Sequence, residues 1–92
     1  MIEVVVHYDY SVSIEKGRDR LIDMGPGVAE DLIAKTTIEA ARRDGSSHVT
    51  LRQSNFSPAT FLHGLRQGRI AAHLEREVGL GPPSAFTLEV QS

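Results

Sequence analysis

Histidines and carboxylates are the side chains of this sequence that could carry acid–base or metal chemistry. Four histidines stand at His7, His48, His63 and His73. None has a second histidine at the i, i+4 spacing that places two imidazoles on one helical face, as a zinc pair requires. No metal site is expected. Carboxylates are dense in the first third of the chain, at Asp9, Asp19, Asp23, Glu30 and Asp31, and two brought together could do acid–base work. Glu30 and Asp31 more simply serve the positive end of a helix dipole. Gly25-Pro26-Gly27 could offer free N–H groups to a phosphate. It lacks the Lys-Ser/Thr that completes a P-loop, and Glu30-Asp31 would repel an anion. The reading therefore leans away from an enzyme and expects no cofactor. A small His/carboxylate hydrolase remains an alternative if the fold brings two histidines within reach of a carboxylate.

Arg52, Arg66, Arg69 and Arg76, with His63 and His73, make the second half locally basic. A small nucleic-acid-binding protein using these four arginines is a second alternative. Residues 69–80 faintly resemble one helix of a helix-turn-helix, but Pro82-Pro83 forbids an immediate second helix. The net charge of −2 gives no general attraction to a polyanion, so nucleic acid is an unlikely partner.

The hydroxyls Ser57 and Thr60 lie in the sharpest local signal, Asn55-Phe56-Ser57-Pro58-Ala59-Thr60-Phe61-Leu62. Ser57 is a suitable N-cap, its oxygen accepting a first-turn backbone N–H. Pro58 suits the first helical position, and Phe56 and Leu62 are placed like a hydrophobic staple. Capping alone explains these residues. A phosphorylation switch at the helix end is the functional reading, with Ser57, Thr60, Phe56 and Asn55 as candidate regulatory or interaction residues.

These residues need a scaffold. Ninety-two residues, 40% hydrophobic and 24% charged, suit one small globular domain. There is no cysteine, so neither a disulfide framework nor a thiolate metal site is available. No basic segment followed by an apolar run opens the chain, and no stretch approaches the ~18 apolar residues of a membrane span. A cytoplasmic location is expected, and eight arginines to two lysines suggest a GC-rich genome.

Alternation of Ile2, Val4, Val6, Tyr8 and Tyr10 predicts a strand over residues 2–10. Lys16-Gly17 can turn a short hairpin between residues 12–14 and 21–22, or the segment can be an ordered loop. Pro26 opens a helix whose stripe is Val28, Ala29, Leu32, Ile33, Thr36 and Ala40, with Ile38 off it, and Gly45 closes it as C′ residue. Residues 48–52 form a second strand. In the next helix, residues 58–78, Phe61, Leu62 and Leu65 lie on one stripe. Ile70, Leu74 and Val78 lie on another, which predicts a break or kink near Gly68 and two short helices. Residues 85–90 close the sheet. The fold expected is α/β, a sheet of three to five strands packed by two or three helices in a single domain.

Taken together, the first strand, Gly25-Pro26 opening a helix with Glu30, the strand at His48–Leu51 and above all Phe56-Ser57-Pro58-Ala59-Thr60-Phe61-Leu62 resemble the STAS-like family. These are small bacterial proteins related to the anti-sigma-factor antagonists. Where that family tends to carry acids, this chain has Arg52 and Gln53 late in the second strand, and Leu62, His63 and Gly64 after the Phe. The resemblance implies a non-enzymatic regulatory module that docks on another protein, such as a kinase-like or anti-sigma-type regulator.

Overall fold

The structure, a computed structural model, describes residues 1–54, 61–79 and 87–91. Five strands, β1 (Ile2–Val6), β2 (Val12–Lys16), β3 (Asp19–Met24), β4 (His48–Gln53) and β5 (Thr87–Val90), form one sheet in the order β3-β2-β1-β4-β5. Helices α1 (Glu30–Asp44) and α2 (Phe61–Gly79) complete the α/β domain. The two hairpin pairings, β1–β2 and β2–β3, are antiparallel; β1–β4 and β4–β5 are parallel. Antiparallel pairs need only tight turns, whereas parallel neighbours need a crossover, here supplied by the helices.

Alternation along the strands builds the core. Ile2, Val4 and Val6, Val12 and Ile14, and Val49 and Leu51 point to one face. They meet Ile33, Ala34, Ile38 and Ala41 of α1 and Ile70 and Leu74 of α2. Both helices thus cover the same face, giving two layers. The opposite face is mostly polar and internally paired around the buried Val5. Arg52 donates to Glu3 at 2.7 Å, and Arg20 lies near Glu15 and Asp23. Ser13, fully buried, sits between His7 and Glu15 at 2.8 and 2.6 Å. The edge strand β3 carries a register shift opposite Ile14/Glu15 together with Asp19, Arg20 and Asp23, devices that discourage pairing with another sheet.

Of the two readings open for residues 11–24, the hairpin is the one formed, and it turns at Gly17, whose φ of 60° suits a residue without a Cβ. The first strand is shorter than its alternation suggested. It ends at Val6, and Tyr8 is 68% exposed rather than in the core. Local bonds win over the pattern: Tyr10 N–H donates to the His7 carbonyl and His7 N–H to that of Ser11. The Asp9 carboxylate accepts from both the amide and the hydroxyl of Ser11, a side-chain turn of the kind that competes with a ladder. These same bonds hold the Asp9 pKa below the usual carboxylate value.

Helix α1 also differs from expectation. Pro26 lies in a turn, closed by Val28 N–H donating to the Gly25 carbonyl, and the helix begins at Glu30. Its buried face is Ile33, Ala34, Thr37, Ile38, Ala40 and Ala41, while Leu32 is 53% exposed. The stripe is rotated roughly a third of a turn from the apolar pattern. Small residues and Thr37, whose hydroxyl returns to the Ile33 carbonyl, occupy the inward side. The C-terminus matches expectation. Gly45 at φ 73° donates to the Arg42 carbonyl, and Ser46 N–H donates to that of Ala41, the paired bonds of a Schellman cap. Asp44 at that end pairs with Lys16 and holds the lysine pKa above its ordinary value.

Helix α2 runs from Phe61 to Gly79 as one element, without the break expected near Gly68. Its buried line is His63, Gln67, Ile70 and Leu74, a regular i, i+4, i+7, i+11 series. The line is continuous but polar in its first half, so apolar periodicity missed it. The expected start at Ser57-Pro58, and the candidates Asn55, Phe56, Ser57 and Thr60, lie outside the described residues, as do Ala85 and Phe86 of the closing strand.

Candidate functional site

Strands β1, β3, β4 and β5 run in one direction, so their C-terminal ends and the turns that follow gather at one end of the sheet. In open α/β sheets this is where sites form. The first half of α2 lies across this end and ties it together with polar side chains. His63, 3% exposed, places Nε2 2.7 Å from the Tyr8 carbonyl oxygen. Since a carbonyl only accepts, Nε2 carries the proton. The imidazole stacks on Tyr10, ring centroids 4.4 Å apart and planes 10° from parallel. Tyr10 itself has φ 69°, a strained region for a bulky residue, held here by the contacts around it.

One turn on, Arg66 acts as a three-way clamp. Its Nε donates to the Tyr10 carbonyl at 2.8 Å, and one terminal nitrogen donates to the Val28 carbonyl at 3.2 Å. The other donates to Glu30 at 3.2 Å. A guanidinium can do this because its donors form a rigid planar fork. Gln67, 5% exposed, accepts from the Gln53 amide at 2.9 Å and donates to the Gln91 carbonyl at 2.7 Å. It also approaches the Leu51 carbonyl at 3.4 Å. Thus α2 fastens the β1–β2 turn, the loop before α1 and the ends of β4 and β5. The buried polar groups are partnered, as burial demands.

The consequence is on the outside. With His63, Gln67, Ile70 and Leu74 inward, helical geometry turns Phe61, Leu62 and Leu65 outward, at 81%, 57% and 38% exposure. A groove of about 240 Å³ runs beside them, lined by Tyr10, Pro26, Glu30, Leu62, Leu65, Arg66 and Arg69. Large apolar side chains clustered on one surface usually mark an interaction site.

The structure separates the four arginines of the sequence reading. Arg52 lies on the helix-free sheet face paired with Glu3, and Arg66 is held in the clamp. Arg69 and Arg76 point outward from α2. The histidines are separated too. His7 bonds Ser13, and His48 bonds Glu89 on the sheet face at 3.2 Å. The Glu89 carboxyl is held below its usual pKa, first by Gln91 and then by His48. Among the described residues no group of three or more His, Asp or Glu side chains could hold a metal. No described helix is long and apolar enough to cross a membrane. The buried Gln67 was not singled out from the sequence, and Arg66 was singled out only as a nucleic-acid candidate, not as a clamp. The trace of Gln67 in the sequence was a polar residue on the line that continues to Ile70 and Leu74. Comparison with protein-family models, curated proteins and solved structures returned no match.

Proposed function

We propose that this domain is a non-enzymatic regulatory or protein-interaction module of STAS-like type that docks on a protein partner through the first two turns of α2. The observation that carries the reading is the inversion of that helix, with polar side chains buried and Phe61, Leu62 and Leu65 in solvent. Leaving each such side chain in water forgoes about 1.5–3 kcal/mol of burial, which a partner can recover. The clamp by Arg66, His63 and Gln67 supports the reading because it fixes the rim in advance, lowering the ordering cost of association. A kinase-like or anti-sigma-type regulator is the partner class that the sequence resemblance suggests, and Ser57 is the residue whose modification would control docking.

The test is a pull-down from the native host with the full chain as bait, alongside Leu65→Asp and Ser57→Asp. We expect one protein retained by the parent and lost with Leu65→Asp, while the circular dichroism melt of that variant stays near the parent's. Retention of the same protein by Leu65→Asp would overturn the docking surface. Full retention by Ser57→Asp would remove the switch and leave the surface.

A further inference from the structure

Docking on α2 leaves open what kind of partner fits, and the charges beside the apolar patch narrow it. On a helix, residues seven apart share a side. Leu62, Arg69 and Arg76 therefore form one shoulder of the exposed face, next to a centre of Phe61, Leu65 and Ala72. Arg69 has 62% of its side chain exposed. Its ion pair is a long 3.8 Å approach to Glu30, a carboxylate already engaged by Arg66 at 3.2 Å. Arg76 is exposed and has no ion pair among the described residues. The acid on the outward side, Glu75, falls on the opposite shoulder by helical spacing. On that shoulder too are Gly64 and Gly68, where a Cβ would meet nothing within 4 Å.

We infer that the partner segment is an amphipathic helix bearing bulky apolar side chains and at least two carboxylates. The inference rests on the docking reading above and adds the chemistry of the occupant. Its apolar side chains cover Phe61 and Leu65 and enter the groove between Leu62, Pro26 and Tyr10. Its carboxylates reach Arg69 and Arg76, whose Cα positions lie about 10 Å apart along the axis. Guanidinium–carboxylate pairing at a rim selects partners and speeds encounter, while the apolar centre supplies affinity. Polynucleotide fits less well, because two outward arginines flanking three large apolar side chains offer few phosphate contacts.

The experiment is selection of random peptides displayed on phage against the purified full chain, followed by anisotropy titration of an enriched peptide. Enriched sequences are expected to combine Leu, Ile or Phe with Asp or Glu at helical spacing. Affinity should fall about tenfold or more on Arg69→Glu/Arg76→Glu, and return when the peptide acids are changed to Lys. Enrichment of uncharged or basic peptides, no enrichment at all, or indifference to the charge reversal would overturn the inference. Leu65→Asp separates the two levels. If it abolishes binding that ignores the arginines, the docking surface stands and the acidic partner falls. If it leaves binding intact, both fall. An oligonucleotide gel shift abolished by the double reversal would assign the arginines to phosphate and overturn the proposal. A dimer in sedimentation that Leu65→Asp dissociates would overturn it in favour of a second copy.

Discussion

Arg66 and Arg69 are three residues apart, and their surroundings give the same side chain two different roles. Arg66 donates to two backbone carbonyls and to Glu30, with only 10% of its side chain exposed. Removing it strands the Tyr10 and Val28 carbonyls and a half-buried carboxylate. Arg66→Ala should therefore cost roughly 2–4 kcal/mol, read by urea denaturation. Arg66→Lys should recover only part, since one ammonium cannot reach three acceptors in a plane. Arg69→Ala, largely in solvent, should stay within about 0.5 kcal/mol of the parent. Equal midpoints for Arg66→Ala and Arg69→Ala would show that the clamp holds nothing. Nothing in the local sequence distinguishes the two arginines. What does is the β1–β2 turn and the loop before α1, which bring the carbonyls of Tyr10 and Val28, 56 and 38 positions away, to one guanidinium.

At the scale of elements, α2 defeats a reading by apolar period because its inward line changes chemistry halfway. His63 and Gln67 face the sheet end, where the carbonyls of Tyr8 and Gln91 take their hydrogen bonds. Ile70 and Leu74 face the hydrocarbon of the core. The apparent change of stripe came from Phe61, Leu62 and Leu65, which belong to the outer face. Gly64 and Gly68 are interior residues of one continuous helix, and a methyl group at either meets open space. Gly64→Ala and Gly68→Ala should each raise stability by roughly 0.4–1 kcal/mol, seen as a higher thermal midpoint. Gly45→Ala should lower it, because φ is 73° there and an L side chain in that region is strained. A fall in midpoint on Gly68→Ala would restore the kink. The cap at Gly45 was legible in the sequence because it depends on one residue's backbone freedom. The inward face of α1 was not: Leu32 and Ile38 are both apolar, and only packing against the sheet and α2 chose between them.

For the whole molecule the governing feature is the placement of β1 between β2 and β4. It bonds on both sides and carries Ile2, Val4 and Val6 into the core. The outer strands β3 and β5 each have one partner, and β5 is short with Val90 49% exposed. Amide hydrogen exchange should accordingly be slowest in β1 and β4, where only global unfolding exposes the bonds. It should be faster in β3 and β5. Protection in β5 equal to that in β1 would mean the sheet opens as one unit.

Backbone chemistry and short-range pattern were enough to set much of this protein from its sequence. The Gly45 cap rests on the backbone of a few residues. The α/β class and the strand at His48 were legible from alternation and helical period. The turn at Gly17 was legible as a turn, with hairpin and ordered loop both open. Tertiary structure decided the remainder, because it turned on which distant groups needed partners. The order β3-β2-β1-β4-β5 requires β1 and β4 to meet across more than forty positions. That meeting gathers the strand ends, leaves carbonyls there unpaired by the ladder, and draws His63, Arg66 and Gln67 inward to satisfy them. Once those polar residues faced the sheet, the 3.6-residue period left Phe61, Leu62 and Leu65 facing water.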